Sequence, residues 1–412
     1  MWLIAATIST QVLQFVTMWL LARWYTPADI GLLSQFSAYV LLFVPWAAAC
    51  FPSAFALAAA TDRTSLFQLS TLAILCSALA GSLLLPLLHA QLWQAMALPT
   101  VMLLISVFAA IVAACLFAAL QQWNYSQQHF VVVAKIMLVS AMLLAAGRIL
   151  LGMQDAAITL LIGLTLAVPG FSLLMLAVCT GFPQWRQRLD QGLIRRLLHQ
   201  YREFPRYQMP QQMLNAFSQN LPLLMLGIWY SATDAGFYGL ALACLGAPAL
   251  LVNRSVGDVI FPRFARLKDQ PTQLSALFMR SSLLLLALST LPFLLFLSAG
   301  PELFSWIFGS TWWQAGQFAQ LLAPWFWLVG VNAPALKLLV VLRQQKRTLQ
   351  LNVLTFVLRT MAVYLCGTAD IDVLTTIKLL SAIGIFHNLV VLALAFYSVK
   401  AQCRRVTEDI CR

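Results

Sequence analysis

The sequence is poor in charged side chains. Asp, Glu, Lys and Arg account for only 38 of 412 residues, or 9%, whereas soluble domains carry about 25%. Apolar residues make up 61% of the chain, against about 45–50% in soluble proteins. This balance excludes an ordinary soluble protein. Apolar runs near twenty residues long are instead typical of helices that cross a bilayer.

The sequence also lacks the common motifs for metals, disulfides and nucleotides. Its eight cysteines form neither a C-x-x-C motif nor a cluster with histidine, so neither a metal site nor a disulfide framework is indicated. No P-loop is present, so we expect no ATP hydrolysis by this chain. We therefore predict no cofactor and no metal. The first apolar run has no basic segment before it and no cleavage site, so it is expected to serve as the first helix.

Apolar runs broken by charge, Gly and Pro predict twelve membrane-spanning helices. At about twenty residues per span, they leave no room for a large domain outside the membrane. The predicted spans are 2–23, 31–59, 66–89, 99–120, 130–149, 156–179, 208–229, 236–257, 274–297, 317–341, 350–366 and 374–398.

Lys and Arg residues outside these spans are distributed unevenly. Seventeen fall on one side of the membrane, and only Arg23 and Arg148 lie at span ends that face the other. The positive-inside rule places the basic segment 182–206 and both termini in the cytoplasm. The net charge of +12 then reflects topology, and no nucleic-acid partner is expected. Within the segment, residues 192–204 predict an amphipathic helix on the anionic inner leaflet.

An internal repeat divides the chain into halves. Residues 24–31 read WYTPADIG and residues 229–236 read WYSATDAG, an offset of 205. Two further matches share this offset: Gln68-Leu69-Ser70 with Gln273-Leu274-Ser275, and Gln14 with Gln219. Because each copy has six spans, we predict two six-helix lobes related by a pseudo-two-fold axis along the membrane normal. The predicted divisions are an N-terminal lobe (1–181), a cytoplasmic linker (182–206) and a C-terminal lobe with a short tail (207–412).

Amide side chains within the spans are candidate binding residues, because hydrocarbon offers them no partner. Span 1 contains Gln11 and Gln14, and span 7 contains Gln211, Asn215 and Gln219. The last three are four residues apart and so share one helical face. Spans 1 and 7 are equivalent in the repeat, so we predict that both polar faces line a cavity. Ordinary hydrogen bonding between helices is the alternative.

Cations within the spans suggest an anionic ligand. Arg359 lies about midway along its span and Arg280 lies roughly 9 Å deep, while Arg254 is nearer the cytoplasmic end. No Asp or Glu lies at comparable depth. Because a buried Arg is costly in a bilayer, we expect a negatively charged ligand or a water-filled cavity around these side chains.

Two other residue types within the spans leave alternatives open. His387 is a candidate proton site, but a lone His on an apolar helix more often contributes to packing. Trp46, Trp325 and Trp327 lie well inside their spans, where the rings could stack on sugars or pack in the core.

Two signatures resemble a known family. ARWYTPADIGLLSQF (22–36) resembles the first-loop signature of bacterial polysaccharide exporters. LPLLMLGIWYSATDAGFYGLALA (221–243), with GDVIFPRFARL (257–267), resembles their span 7–8 signature. These exporters are the O-antigen repeat-unit flippases of the multidrug/oligosaccharidyl-lipid/polysaccharide (MOP) superfamily.

The resemblance implies a function in lipopolysaccharide or related polysaccharide biosynthesis in a bacterial inner membrane. Its substrate would be an undecaprenyl-pyrophosphate-linked oligosaccharide, moved from the cytoplasmic to the periplasmic leaflet by alternating access, with spans 1, 2, 7 and 8 forming the gates. Arg23 matches a cationic position of the superfamily and, with Arg254, Arg280 and Arg359, would bind the substrate. The implied partners are membrane lipids and a polysaccharide polymerase or chain-length protein.

Two other functions are weighed against the flippase. A cation-coupled drug antiporter of the same superfamily generally needs an intramembrane carboxylate, which the spans lack. A membrane polymerase or ligase needs a long periplasmic loop rich in Arg and His, yet the longest such loop, about 298–316, has Glu302 as its only charge. We therefore predict a transporter and not an enzyme.

Overall fold

A computed structural model shows a helical chain. It describes the backbone of residues 2–55, 58, 60–88, 100–154, 156–183, 190–267, 270–342 and 344–410, and these ranges contain no strand. The predicted all-α fold is confirmed.

The helices of the described residues fall into two compact units, 1–235 and 236–412. Short 3-10 turns occupy Phe51–Ala54 and Ser310–Trp312, and a π turn occupies Phe204–Gln208. The α-helices are α1 (Trp2–Trp24), α2 (Pro27–Phe43), α3 (Ala60–Leu88), α4 (Thr100–Ser126), α5 (Phe130–Met153), α6 (Ile158–Thr180), α7 (Gln191–Gln200), α8 (Met209–Trp229), α9 (Ala232–Arg266), α10 (Pro271–Phe308), α11 (Trp313–Val331), α12 (Ala333–Val341), α13 (Gln345–Thr368) and α14 (Val373–Ile410).

Seven of the described helices are long and apolar enough to cross a membrane, and an eighth span results if α11 and α12 are counted as one bent span. Helices α1, α8 and α9 lie at three of the other predicted spans, whereas α2 covers only the first part of predicted span 31–59. The chain leaves the helix after Phe43 and turns, with positive φ angles at Ala49 and Cys50, so the prediction of a continuous helix over 31–59 was wrong. The long apolar helices still confirm a multi-pass helical membrane protein. The count of twelve spans and the orientation of the termini stay predictions.

The two copies of the repeated motif form the same local structure. In the first copy, the Thr26 hydroxyl accepts a hydrogen bond from the Asp29 backbone N–H at 3.3 Å, and the Asp29 carboxylate binds back to Thr26. In the second copy, the Ser231 hydroxyl accepts from the Asp234 N–H at 3.0 Å and donates to its carboxylate at 2.5 Å. Each pair is a cap that satisfies free N–H groups at a helix start, so the repeat fixes where α2 and α9 begin.

Helix α8 packs against α2 in the first compact unit. The prediction assigned this helix to a C-terminal lobe beginning at residue 207, whereas the boundary between the compact units lies after Ala235. A division into lobes at 181 and 207 therefore stays a prediction.

In the second unit, α14 packs against α11, α12 and α13, and α10 packs against α11. Helices α11 and α12 meet at Asn332 with a bend of 42°. Pro334 lies in the first turn of α12 and has no N–H to continue the hydrogen-bond ladder. The bend is stabilised from α14, because the Asn332 amide nitrogen donates to the Asn388 side-chain oxygen at 2.6 Å and to its carbonyl at 2.9 Å.

Candidate functional site

The amide face of α8 is open along most of the helix. Gln211, Asn215 and Gln219 are all exposed, and the Gln219 amide donates to the Asn215 oxygen at 3.0 Å. The end of the helix is different, because every residue from Pro222 to Gly227 is buried. The structure therefore places the three predicted amides together, as their spacing of four indicated.

The predicted residues of α1 are less uniform. Gln14 is exposed and Gln11 is half-buried. Arg23 is exposed in the last turn of α1, with its guanidinium 4.9 Å from the centroid of the Trp19 ring. This position is favourable for a cation, because the last turn of a helix carries partial negative charge.

Helix α8 lies at predicted span 7, where exposed amides would require an environment other than lipid. An amide that faces hydrocarbon without a partner costs several kcal/mol, about 2–7 depending on the reference state. Three of them on one face of α8 are therefore expected to contact water or a polar ligand. Since each amide offers both donors and an acceptor, this face can bind sugar hydroxyls.

Arg359 is the most deeply placed of the predicted cations whose side chains are described. It lies on α13, is only 8% exposed, and its guanidinium lies 4.3 Å from the centroid of the Trp325 ring of α11. Tyr238 of α9 and His387 of α14 lie close enough to interact with it electrostatically. Four helices of the second unit thus contribute to one cluster around this guanidinium.

His387 is held by the neighbouring helix. Its Nδ1 lies 2.9 Å from the hydroxyl oxygen of Thr355, and that hydroxyl also lies 2.8 Å from the Leu351 carbonyl oxygen. If the hydroxyl donates to this carbonyl, Nδ1 donates its proton to the Thr355 oxygen. In the neutral ring, Nε2 is then the nitrogen without a proton. The prediction of His387 as a proton site stays open, and the geometry gives the side chain a role in packing α14 against α13.

The other predicted cations are placed differently. Arg280 is exposed on α10, on a helical face with Leu283 and Leu284, whose exposed fractions are 58% and 59%. That face is typical of a lipid-facing surface, along which Arg can extend its charged end toward the interface. The structure therefore does not place Arg280 in the Arg359 cluster. The Arg254 side chain lies outside the described residues.

The three intramembrane tryptophans make contacts within the protein. The Trp46 indole donates to the Leu42 carbonyl at 2.5 Å, and the Trp327 indole donates to the Thr290 hydroxyl at 3.2 Å. Trp325 packs so closely on Gly384 that a larger residue there would overlap its ring. These contacts favour packing over sugar stacking, although all three rings are only half-buried.

The sequence interpretation did not single out Tyr238, Asn332 or Asn388. Tyr238 is buried within electrostatic range of Arg359, and both asparagines are at least 95% buried. A usable signal was present, because an Asn in the middle of an apolar run needs a partner within the membrane. In these two cases the partner is the other Asn.

Comparisons with known proteins identify the family. The family described as polysaccharide biosynthesis protein matches residues 20–317. The teichuronic acid biosynthesis protein TuaB of Bacillus subtilis (strain 168) is 27% identical over 209 residues, which are 49% of this chain and 42% of TuaB. The chain thus matches less than half the length of this relative.

Solved structures show the same fold. The lipid II flippase MurJ in an inward closed conformation matches with a TM-score of 0.73 and 11% identity, over 97% of this chain and 89% of that one. An inward-facing multidrug resistance MATE family transporter of the MOP superfamily matches with a TM-score of 0.61 and 10% identity, over 96% of each chain. The fold is therefore that of MOP transporters, and with the family match over most of its length the chain belongs to the polysaccharide biosynthesis protein family.

Proposed function

We propose that this protein is a flippase that moves undecaprenyl-pyrophosphate-linked repeat units of O-antigen or a related polysaccharide across the membrane. The observation that carries the proposal is the exposed amide face of Gln211, Asn215 and Gln219 on a helix of a MOP fold. Such a face suits a polar cargo that passes between apolar helices. The polysaccharide family supplies the class of that cargo.

The buried cation Arg359 supports the proposal that the transported molecule has an anionic group. The sequence has no acidic residue between Glu302 and Asp370, so α11, α12 and α13 contain no carboxylate that would repel an anionic ligand. The Arg359 guanidinium lies 4.3 Å from the centroid of the Trp325 ring, and a guanidinium binds phosphate oxygens strongly, often through two parallel hydrogen bonds. A pyrophosphate would match this chemistry, and the amides would bind the sugar attached to it.

The family and fold are those of flippases and transporters, which catalyse no covalent chemistry. For this chain we propose transport from the cytoplasmic to the periplasmic leaflet, the direction that the resemblance to repeat-unit flippases implies. Moving a negative charge outward is favourable when the inside of the membrane is negative, by about 2.3 kcal/mol per charge per 100 mV. The potential alone could therefore drive this direction.

The test is flipping of a fluorescent undecaprenyl-pyrophosphate oligosaccharide in proteoliposomes, with wild type, Arg359→Gln and Arg280→Gln compared. We expect wild type to flip the donor and Arg359→Gln to reduce the rate at least tenfold. Absence of flipping by folded wild-type protein with every lipid-linked donor would overturn the proposed function.

Arg280→Gln is the matched control, since it removes the same charge from an exposed position. An equal loss in both variants would place both cations on the path, as the sequence predicted. Full activity of Arg359→Gln would keep the flippase and remove Arg359 from the binding site.

A further inference from the structure

Helix α7 has two different faces. Leu197 and Tyr201 are buried against the rest of the first unit. On the opposite face, three basic side chains are exposed at spacings of four and three residues: Arg195, His199 and Arg202. Arg206 lies one turn further on, where its backbone N–H donates to the Arg202 carbonyl, and its side chain is also exposed. We call these four residues the basic stripe.

The buried face is anchored at the edge of the membrane. The Arg196 guanidinium binds the Asp62 carboxylate at 2.5 Å, and Asp62 is the first residue of the apolar span in α3. Burial and, secondarily, the Asp62 carboxylate raise the pKa of the Tyr201 phenol, so Tyr201 contributes to the anchor as a neutral group. The ion pair therefore holds α7 at the level where α3 leaves the bilayer.

Apolar side chains accompany the basic stripe. Leu198 is 43% exposed, between Arg195 and Arg202 in sequence, and Tyr207 is 64% exposed next to Arg206. Phe182, which follows the end of α6, is 40% exposed while its ring packs edge-on against Phe67 of α3 at 5.3 Å. Exposed cations beside exposed apolar groups are typical of helices that lie in the headgroup region.

We infer that the basic stripe of α7 is a binding surface for the anionic headgroups of phospholipids. Charge complementarity favours anionic headgroups as the ligand, because the stripe has three guanidiniums. Glu203 is the one exposed carboxylate between Arg195 and Arg206. The anchor to Asp62 places the stripe where headgroup phosphates lie. The inference requires only that the chain lies in a membrane and is independent of what the protein transports.

The test uses the full-length protein in mixed micelles, with retained phosphatidylglycerol and phosphatidylcholine counted by native mass spectrometry. Each arginine near an anionic surface changes binding about fivefold. We therefore expect the triple variant Arg195→Gln, Arg202→Gln, Arg206→Gln to bind phosphatidylglycerol at least tenfold more weakly, with phosphatidylcholine unchanged. The variant with Lys at the same three positions should keep most of the binding. The control is Arg263→Gln with Arg266→Gln, which removes two exposed cations at the end of α9 and should weaken binding less.

Phosphatidylglycerol binding equal to wild type in the triple Gln variant would overturn the inference. A second measurement avoids dependence on variant folding: hydrogen exchange of wild type in nanodiscs of phosphatidylglycerol or of phosphatidylcholine. We expect the backbone amides of residues 191–207 to exchange more slowly in phosphatidylglycerol nanodiscs than in phosphatidylcholine nanodiscs. Equal exchange in both lipids would also overturn the inference, and neither readout involves flipping.

Discussion

The side-chain oxygen of Gln35 on α2 lies directly against Gly227 on α8, so closely that a methyl group at Gly227 would overlap it. Gln35 is 1% exposed. It belongs to the signature at 22–36, and Gly227 belongs to the signature at 221–243. The absence of a side chain at Gly227 therefore allows α2 and α8 to approach each other, as small residues do in other membrane bundles.

Gly227→Ala is expected to destabilise the packing of α2 on α8. Overpacking of this kind costs about 1–3 kcal/mol, measurable as a lower unfolding temperature in detergent. Gly163→Ala on α6, where the added methyl group meets nothing within 4 Å, should have little effect. Shortening the neighbour in Gln35→Ala/Gly227→Ala should restore part of the loss, and a double variant less stable than Gly227→Ala would contradict this account.

Arg359 and Trp325 should be energetically coupled. A desolvated cation over an indole face contributes up to about 2 kcal/mol, so a double-mutant cycle of Arg359→Gln and Trp325→Leu should show a coupling of about 1–2 kcal/mol in unfolding free energy. Additive effects would show that the 4.3 Å contact contributes nothing to stability.

The amide face of α8 should matter for transport more than for folding. Replacing Gln211, Asn215 and Gln219 together by Leu removes the groups proposed to bind sugar, and we expect flipping to fall at least tenfold. Because all three are exposed, the unfolding temperature should stay the same or rise. The control is Gln273→Leu, which removes an exposed amide in the first turn of α10 and should leave flipping unchanged. A large drop in the unfolding temperature of the triple variant would indicate a structural role for the three amides instead.

Flipping should respond to the membrane potential. With about 2.3 kcal/mol per charge per 100 mV available, collapsing an inside-negative potential at constant pH gradient should slow outward flipping of a pyrophosphate-linked donor. A monophosphate-linked donor has fewer charges, so its rate should change less. Identical rates with and without the potential would refute the potential as the driving force.

The sequence predicted the features that depend on local pattern. Runs of apolar residues located most of the helices but not the ends or breaks at Phe43 and Asn332, and the spacing of Gln211, Asn215 and Gln219 predicted their common face. The repeated motif also predicted matched structure, and the paired caps at Thr26 and Ser231 show it.

Contacts between distant helices had no such local signal. Span depth suggested similar environments for Arg280 and Arg359, but neighbouring helices bury one and leave the other exposed. Depth measures distance along one helix, whereas burial depends on which face its neighbours cover. The pairing of Asn332 with Asn388 across 56 residues likewise depends on how α11, α12 and α14 pack.

The amide pair at the bend also ties the joint between α11 and α12 to a third helix. Asn332 lies where the α11–α12 backbone is bent by 42°, and its amide donates to two oxygens of Asn388 on α14. Since the Asn332 backbone N–H also donates to the Leu328 carbonyl of α11 at 3.0 Å, this one residue joins α11, α12 and α14. A change in the angle between α11 and α12 would therefore have to move α14 with it or break the two hydrogen bonds to Asn388.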